Sequence, residues 1–531
     1  DAADGSGEAL DLPDELGGLE RKVLLARLIL QWAATPEMRG DRDVSLVANS
    51  PAAAMALAGD LARLMDDMVM RQVPWDRLDK LVPENIDEYW QKTLRFLKIA
   101  HEQWPDVLRE RNRIEPAEHR ERLIAAEAAR LARHSGPVIA AGSTGSIPVT
   151  ATLLATIARL PRGALVLPGL DTDLDDATWE MIDGPDDGGE PVHGHPQFAM
   201  HTLLRRIGIA RASVIPLAQP APHGRELIAS EALRPAAASE RWQTRLADPS
   251  FAAHADTALK SMAVIEAANA EEEALAVAIA LREVVEHPGK TAALVTPDRA
   301  LSRRVLAALT RWNVPVDDSG GDALADTPSG AFARLVADAG LRELAPVTLL
   351  ALLKHQHCKA FQAHSRSIET LERAILRGPR PKRGTAGLAQ ALKTFGEELA
   401  RFHRKQESAL HRSDPRTSIR DADVDAAAAL VAQLAKALAP LEQLPPHALP
   451  FSAIAKRHFE AILALDGMTQ GLIEAFDEID DAGEFASRDE IAVTPAEYPE
   501  LFHAAIAGRK LRRPEAHVRV RIYGTVDARL V

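Results

Sequence analysis

A single cysteine, Cys358, in 531 residues excludes an internal disulfide and any four-thiolate zinc or iron–sulfur centre made by this chain alone. One free thiol fits a reducing compartment. Aromatic residues are scarce, at 4% of the chain, while alanine and leucine abound, a balance that favours helix over sheet. No uninterrupted apolar run approaches ~18 residues, so no membrane span is expected. A GxxxxGK[ST] loop is missing, which removes the usual means of holding a nucleotide's terminal phosphates. Four Pro-Asp pairs occur, at Pro13–Asp14, Pro105–Asp106, Pro185–Asp186 and Pro297–Asp298, without the following lysine that a PD-(D/E)xK nuclease needs. Basic character is also lacking overall, with a net charge of −13. That argues against a generally basic nucleic-acid coat. A channel lined locally with arginine stays open, because the local field steers a ligand more than the sum does. The opening DAADGSGEALDLPDE is acidic and unlike a signal peptide; it is expected to begin inside a longer polypeptide.

At this length one hydrophobic core does not suffice, and about three or four domains are expected. Helical periodicity runs over residues 19–34, 52–73, 86–104 and 118–134, with Pro74, Pro83 and Pro105 placed as breakers. Residues 44–47 form a short apolar strand candidate. From residue 138 the rhythm changes: strands at 138–141, 164–167 and 213–216 alternate with helices at 149–159 and 197–207. Such alternation implies a mostly parallel sheet with crossover helices. A second such block has helices at 271–287 and 299–312 and strands at 292–296 and 314–316, while 341–488 reads almost wholly helical. A helix at 495–508 and a strand at 518–523 follow. The expected division is therefore a first α/β domain with a helical part over 1–216, an alanine- and proline-rich bridge over 217–260, and the start of a second α/β domain over 261–340. A helical insertion over 341–488 and a return to the second domain over 489–531 complete it.

Several residue groups could carry chemistry. Gly142, Ser143, Thr144, Gly145 and Ser146 follow a strand and precede a helix, a context that presents backbone N–H groups to an anion; the plain alternative is a structural strand-to-helix turn. Asp171, Asp173, Asp175 and Asp176 crowd the end of a strand, where a divalent-metal site would need two or three of them to converge; helix capping or solvation is the simpler reading. His193, His195 and His201 lack the cysteines or ordered carboxylates of a zinc site. GSTGS is not the GxSxG elbow of an acyl-transfer enzyme. Arg509, Lys510, Arg512, Arg513, Arg519 and Arg521 fall within thirteen positions, and the last two share one face of a strand by its period of two. Arg377, Arg380, Lys382 and Arg383 form a second basic group in a Pro/Gly loop. Both groups suit phosphate contacts, or else a solvated face and interdomain ion pairs.

The stretch AAGSTGSIPVTATLLATIARLPRGALVLPGLD, followed by His195-Pro196-Gln197, resembles the AddB subunit family of bacterial AddAB double-strand-break repair enzymes, alphaproteobacterial type. ALVTPDRALSRRVLAALTRW, VDDSGGDALADTPSG, RAILRGPRP and IYGTVDARL are similar to the same family, so the resemblance spans nearly the whole chain. It implies an α/β fold of two superfamily 1 helicase-like parallel-sheet domains with large helical insertions. It also implies a heterodimer with an AddA-type helicase–nuclease, processing DNA ends for homologous recombination in the cytoplasm. The iron–sulfur cluster and Mg2+ that the family implies belong to a C-terminal nuclease domain expected to lie outside this chain, and Cys358 is not assigned to the cluster. No cofactor and no catalytic residue are carried over, so the chain alone is expected neither to hydrolyse ATP nor to cut DNA. Residues 142–146, with Arg377, Lys382, Arg383, Arg519 and Arg521, would hold single- or double-stranded DNA ends electrostatically. The alternative is a non-enzymatic protein-interaction scaffold without direct DNA contact.

Overall fold

An alanine- and leucine-rich chain forms helices readily, and the computed structural model of the protein is 62% helical with small parallel sheets. It describes residues 12–35, 50–79, 96–184, 190–218, 222–512 and 517–530. The strand candidate at 44–47, most of the helix expected over 86–104, the Pro185–Asp186 pair and Arg513 lie outside the described residues.

Helix starts follow local chemistry. Ser50 Oγ accepts from Ala53 N at 3.2 Å to open the Pro51–Met70 helix, whose first residue, proline, has no N–H to leave unpaired. Asn269 Oδ1 accepts from the N–H groups of Glu271 and Glu272 at 3.0 Å, and three glutamates in the next turn suit the positive end of the Ala270–Glu286 helix. Pro105, expected to break a helix, lies inside a helical run over residues 96–110, where the π-helical stretch Ile99–Gln103 directly before it widens the turn and lets the chain continue past the proline.

The main hydrophobic core joins two distant stretches of sequence. Helices Gly18–Ala33 and Pro51–Met70 pack on each other and share one buried cluster with the helices between Pro328 and Ala507. At its centre runs Asp421–Glu442, which buries Val424, Ala427, Val431, Leu434, Leu438 and Leu441 at spacings of three and four. By length and composition alone this helix is apolar enough to cross a membrane, as the core helix of a packed body also can be. Its apolar stripe is instead covered by helices Pro328–Leu341, Ser365–Leu371, Gly384–His403 and Phe451–Ala464. Deep in the same core His458, fully buried, donates through Nε2 to the Ala333 carbonyl at 2.8 Å and accepts at Nδ1 from the Tyr498 hydroxyl at 3.0 Å. Burial holds its pKa down to about 3, so it is the neutral tautomer that meets both partners.

Two smaller α/β units flank this body. In the first, Val138–Ala141 and Gly163–Val166 pair in parallel through the crossover helix Pro148–Arg159. The expected third strand at 213–216 is absent: Arg211–Ser213 is a 3-10 turn, and Ile215 is exposed with no strand beside it. In the second unit, Val520–Tyr523 lies between Ala292–Val295 and Val316–Asp318, parallel to both. The sheets are thus parallel, as the alternation implies, but far smaller than a mostly parallel α/β domain requires. One face of each is helix-covered. On the other, Ile139 and Val295 are more than half exposed.

Between the units, residues 217–260 carry helices Arg225–Ala232, Arg241–Leu246 and Pro249–Leu259. Arg234, 8% exposed, fastens them to the first unit, since it bonds Glu231 at 2.9 Å, Asp175 at 2.6 Å and Thr178 Oγ1 at 2.7 Å.

Candidate nucleic-acid interface

The two parallel strands of the first unit end on the same edge, and residues 142–146 leave from there. Gly142 and Gly145 have φ of 81° and 68°, a left-handed backbone that glycine adopts without strain. Gly145 is also buried: a Cβ there would meet Leu203 Cδ2 at 3.3 Å and Leu154 Cδ1 at 3.4 Å. Gly142 N donates to Val166 O at 3.1 Å, and Gly145 N to Ser143 Oγ at 3.3 Å, so two of the turn's donors are already engaged. Ser146 is exposed, while Ser143 and Thr144 are half-buried. A cationic group that sequence reasoning passed over stands at the helix that follows the turn. Arg206, on the Phe198–Ile207 helix, donates to Pro148 O at 3.1 Å at the start of the crossover helix. No spacing rule joins positions 58 apart; only the packing of the two helices does.

The neighbouring acidic loop is a set of caps. Asp171 Oδ1 accepts from the N–H groups of Asp173 and Leu174, and Asp175 caps Asp176–Glu180 by accepting from Thr178 N at 3.0 Å. Burial would raise the Asp175 pKa, but bonds from Arg234, Thr178 and Arg241 outweigh it and hold the carboxyl well below its usual range. The three histidines diverge. His195 bonds Leu233 O at 2.8 Å, His201 packs on Trp179, and His193 meets Phe198 edge-on. Among the described residues no three His, Cys, Asp or Glu side chains are grouped to hold a metal ion. The implied iron–sulfur cluster does not fit the side chains here: Cys358 is alone and buried, and burial pushes its thiol up to about 12.

The basic groups part company. Arg509 donates to both Glu474 and Glu478, and Arg512 stands 3.7 Å from Asp317, so these two serve ion pairs within the fold. Arg519 and Arg521 are exposed on the face opposite Val518, Val520 and Ile522. Among the described residues neither meets a carboxylate: Arg519 donates to His287 O at 3.0 Å and Arg521 to the Tyr523 hydroxyl at 3.2 Å. In the loop, Arg377 bonds Glu372 at 2.7 Å and Arg383 pairs with Glu343 at 2.6 Å, whereas Lys382 is exposed with no ion pair. Among the described residues no hydrogen bond or ion pair links residues 142–146, the 377–383 loop and the Arg519/Arg521 face. They sit on three separate parts of the molecule.

A shallow, open depression of about 530 Å3 lies among Asp326, Thr327, Pro328, Ala331 and Ala351, and a second of about 270 Å3 adjoins it at Lys354, His355 and Gln356. Lys354 is bonded to Glu372 at 2.5 Å. His355 stacks on His357, and burial together with that neighbour holds its pKa below the ordinary histidine range. No family model matches this chain, and no curated protein matches it.

Proposed function

We propose that this chain is the non-motor, DNA-guiding body of an AddAB-type helicase–nuclease that processes double-strand ends for recombination. In this reading an AddA-type subunit is its partner, the cytoplasm is its compartment, and its two α/β units are helicase-like. The observation that carries the reading is the Arg519/Arg521 pair: two exposed guanidiniums side by side, unopposed by carboxylate, in a chain of net charge −13. Phosphates supply the missing counter-charge. In this reading ATP hydrolysis and strand cleavage belong to the assembled enzyme.

Co-purification with an AddA-type subunit, followed by single-stranded DNA binding across a salt series, tests the reading. Arg519→Ala with Arg521→Ala is expected to weaken binding and flatten the salt slope by about 1.4, since each single-strand phosphate neutralised contributes about 0.7. Unchanged affinity and slope would remove the pair from the interface.

One observation favours the second reading, a protein-interaction scaffold without DNA contact. Ile139, Val264 and Val295 are exposed to 70%, 90% and 51%, and exposed apolar side chains of this size are what a protein partner covers. Tight partner association with weak, salt-insensitive DNA binding would establish it.

A further inference from the structure

One long stretch reverses the charge balance of the chain. Residues 354–420 hold 15 Lys/Arg against 6 Asp/Glu, although the whole chain has 63 against 76. The carboxylates that meet these cations are shared out thinly. Glu372 serves both Lys354 and Arg377, Glu343 both Arg380 and Arg383, and Asp423 both Arg366 and Arg420. Each of these nodes keeps a net positive charge. The contrast is Arg509, one cation held by two carboxylates. Lys359, Lys382, Lys393, Arg404, Lys405 and Arg412 are exposed and have no ion-pair or hydrogen-bond partner among the described residues.

Tertiary contacts gather these groups. Lys382 precedes and Arg404 follows the Gly384–His403 helix, whose 20 residues span ~30 Å. The loop after it folds back along the same helix. Ser408 Oγ donates to Glu398 O at 2.8 Å, the Arg416 guanidinium lies 5.5 Å from the Phe395 ring, and Arg416 reaches Ala374 O at 3.4 Å. Arg412, within that loop, is thereby returned to the helix instead of trailing away from it.

We propose that the surface of residues 354–420, along the Gly384–His403 helix and its returning loop, is a phosphodiester-binding face that takes a nucleic-acid strand by its backbone. The proposal deepens the DNA reading above and rests on it for the identity of the polyanion. No large apolar side chain in 354–420 is exposed, so the face lacks both the apolar anchors of a protein interface and the apolar surface that enters a lipid bilayer. What remains is a surface on which Lys and Arg outnumber the carboxylates, exposed Glu397 and Glu407 among them, and a strand rising ~3.4 Å per nucleotide would present about nine phosphates along ~30 Å. Arg377 and Arg383, singled out by sequence, contribute through half-neutralised pairs; the unpaired lysines and arginines around them bind directly.

The test is fluorescence anisotropy on the full chain with a labelled single-stranded oligonucleotide over a salt series, and with inorganic polyphosphate as a second polyanion. The variant combines Lys382→Ala, Lys393→Ala, Arg404→Ala, Lys405→Ala and Arg412→Ala, with the five Gln substitutions as a counterpart if the alanine form folds poorly. The expected result is a salt slope lower by about 3 and an affinity loss of on the order of tenfold or more. Wild-type DNA binding that the variant retains, slope included, overturns this face and leaves the DNA reading standing. Polyphosphate binding that depends on the five side chains, without DNA binding by the wild type, upholds the face and sinks the DNA reading. Binding of neither polyanion by the wild type overturns the proposal.

Discussion

The helical body and the first α/β unit are built from the same alanine- and leucine-rich alphabet, yet they bury it very differently. In the body, elements from both ends of the chain close on one continuous core, and Phe332, Tyr498 and Phe502 are fully buried there. The first α/β unit has two modest clusters, around Trp179 and around Leu154, beneath a two-stranded sheet with one bare face. A helix can satisfy its own backbone and needs only one covered stripe, whereas a parallel sheet is usually covered on both faces. The body therefore closes one continuous core, while Ile139 and Val295 stay exposed on the sheet faces of the units.

That contrast can be broken first by deleting core volume. Phe332→Ala is expected to cost about 3–5 kcal/mol and lower the main unfolding transition in equilibrium denaturation. Leu203→Ala, in the first α/β unit, is expected to loosen only that unit, detected as faster amide exchange over residues 138–207 with the main transition little moved. A shift of the main transition by Leu203→Ala as large as that from Phe332→Ala would mean that the regions unfold as one.

A smaller effect tests how the 217–260 helices are held. Arg234→Ala leaves Glu231, 5% exposed, without its bidentate partner, and the half-exposed Asp175 can turn to water. A loss of about 2–3 kcal/mol is expected, less than for a wholly buried pair, confined to segments 175–183 and 225–246 in hydrogen exchange. Exchange that stays at wild-type levels there would show the network to be ornamental.

The gentlest probe is pH. His458 has its pKa held at about 3 when folded against an ordinary 6.5, so the unfolded chain binds the extra proton between those values. Its contribution to stability is fully present above pH 6.5 and lost as pH falls toward 3, with a slope of up to about 1 kcal/mol per pH unit. His201 and His355, also lowered by burial, act in the same direction. Denaturation midpoints of wild type and His458→Phe, compared from neutral to acid pH, are expected to converge as the pH falls. Parallel pH profiles would mean that His458 does not titrate on unfolding.

Much of the secondary structure was legible in one dimension. Helices such as Ala270–Glu286 and Arg299–Arg311 announce themselves by a side-chain cap and an apolar period, both local properties. The strand alternation that exposes Arg519 and Arg521 is local as well. The 213–216 strand misled because Ser213-Val214-Ile215, ahead of Pro216, have strand composition but no neighbour to pair with, and pairing is a property of the fold. Pro105 misled because the π-helical stretch Ile99–Gln103 before it accommodates the proline inside a continuing helix, and only the folded backbone shows that widened turn.

For the candidate interface the division is sharper. Charge counts mark 354–420 as basic and 509–521 as basic, without saying which cations are free. Local chemistry alone determined the helical character of the chain, its helix caps, its single thiol and its lack of a nucleotide loop. Tertiary structure decided that Arg509 is consumed by Glu474 and Glu478 while Lys393 and Arg412 keep their charge unpaired, and that residues 16–107 complete a core begun beyond residue 324. The reason is physical: propensity and capping act over a few residues, whereas ion pairing and burial act across whatever distance in sequence the packed chain closes.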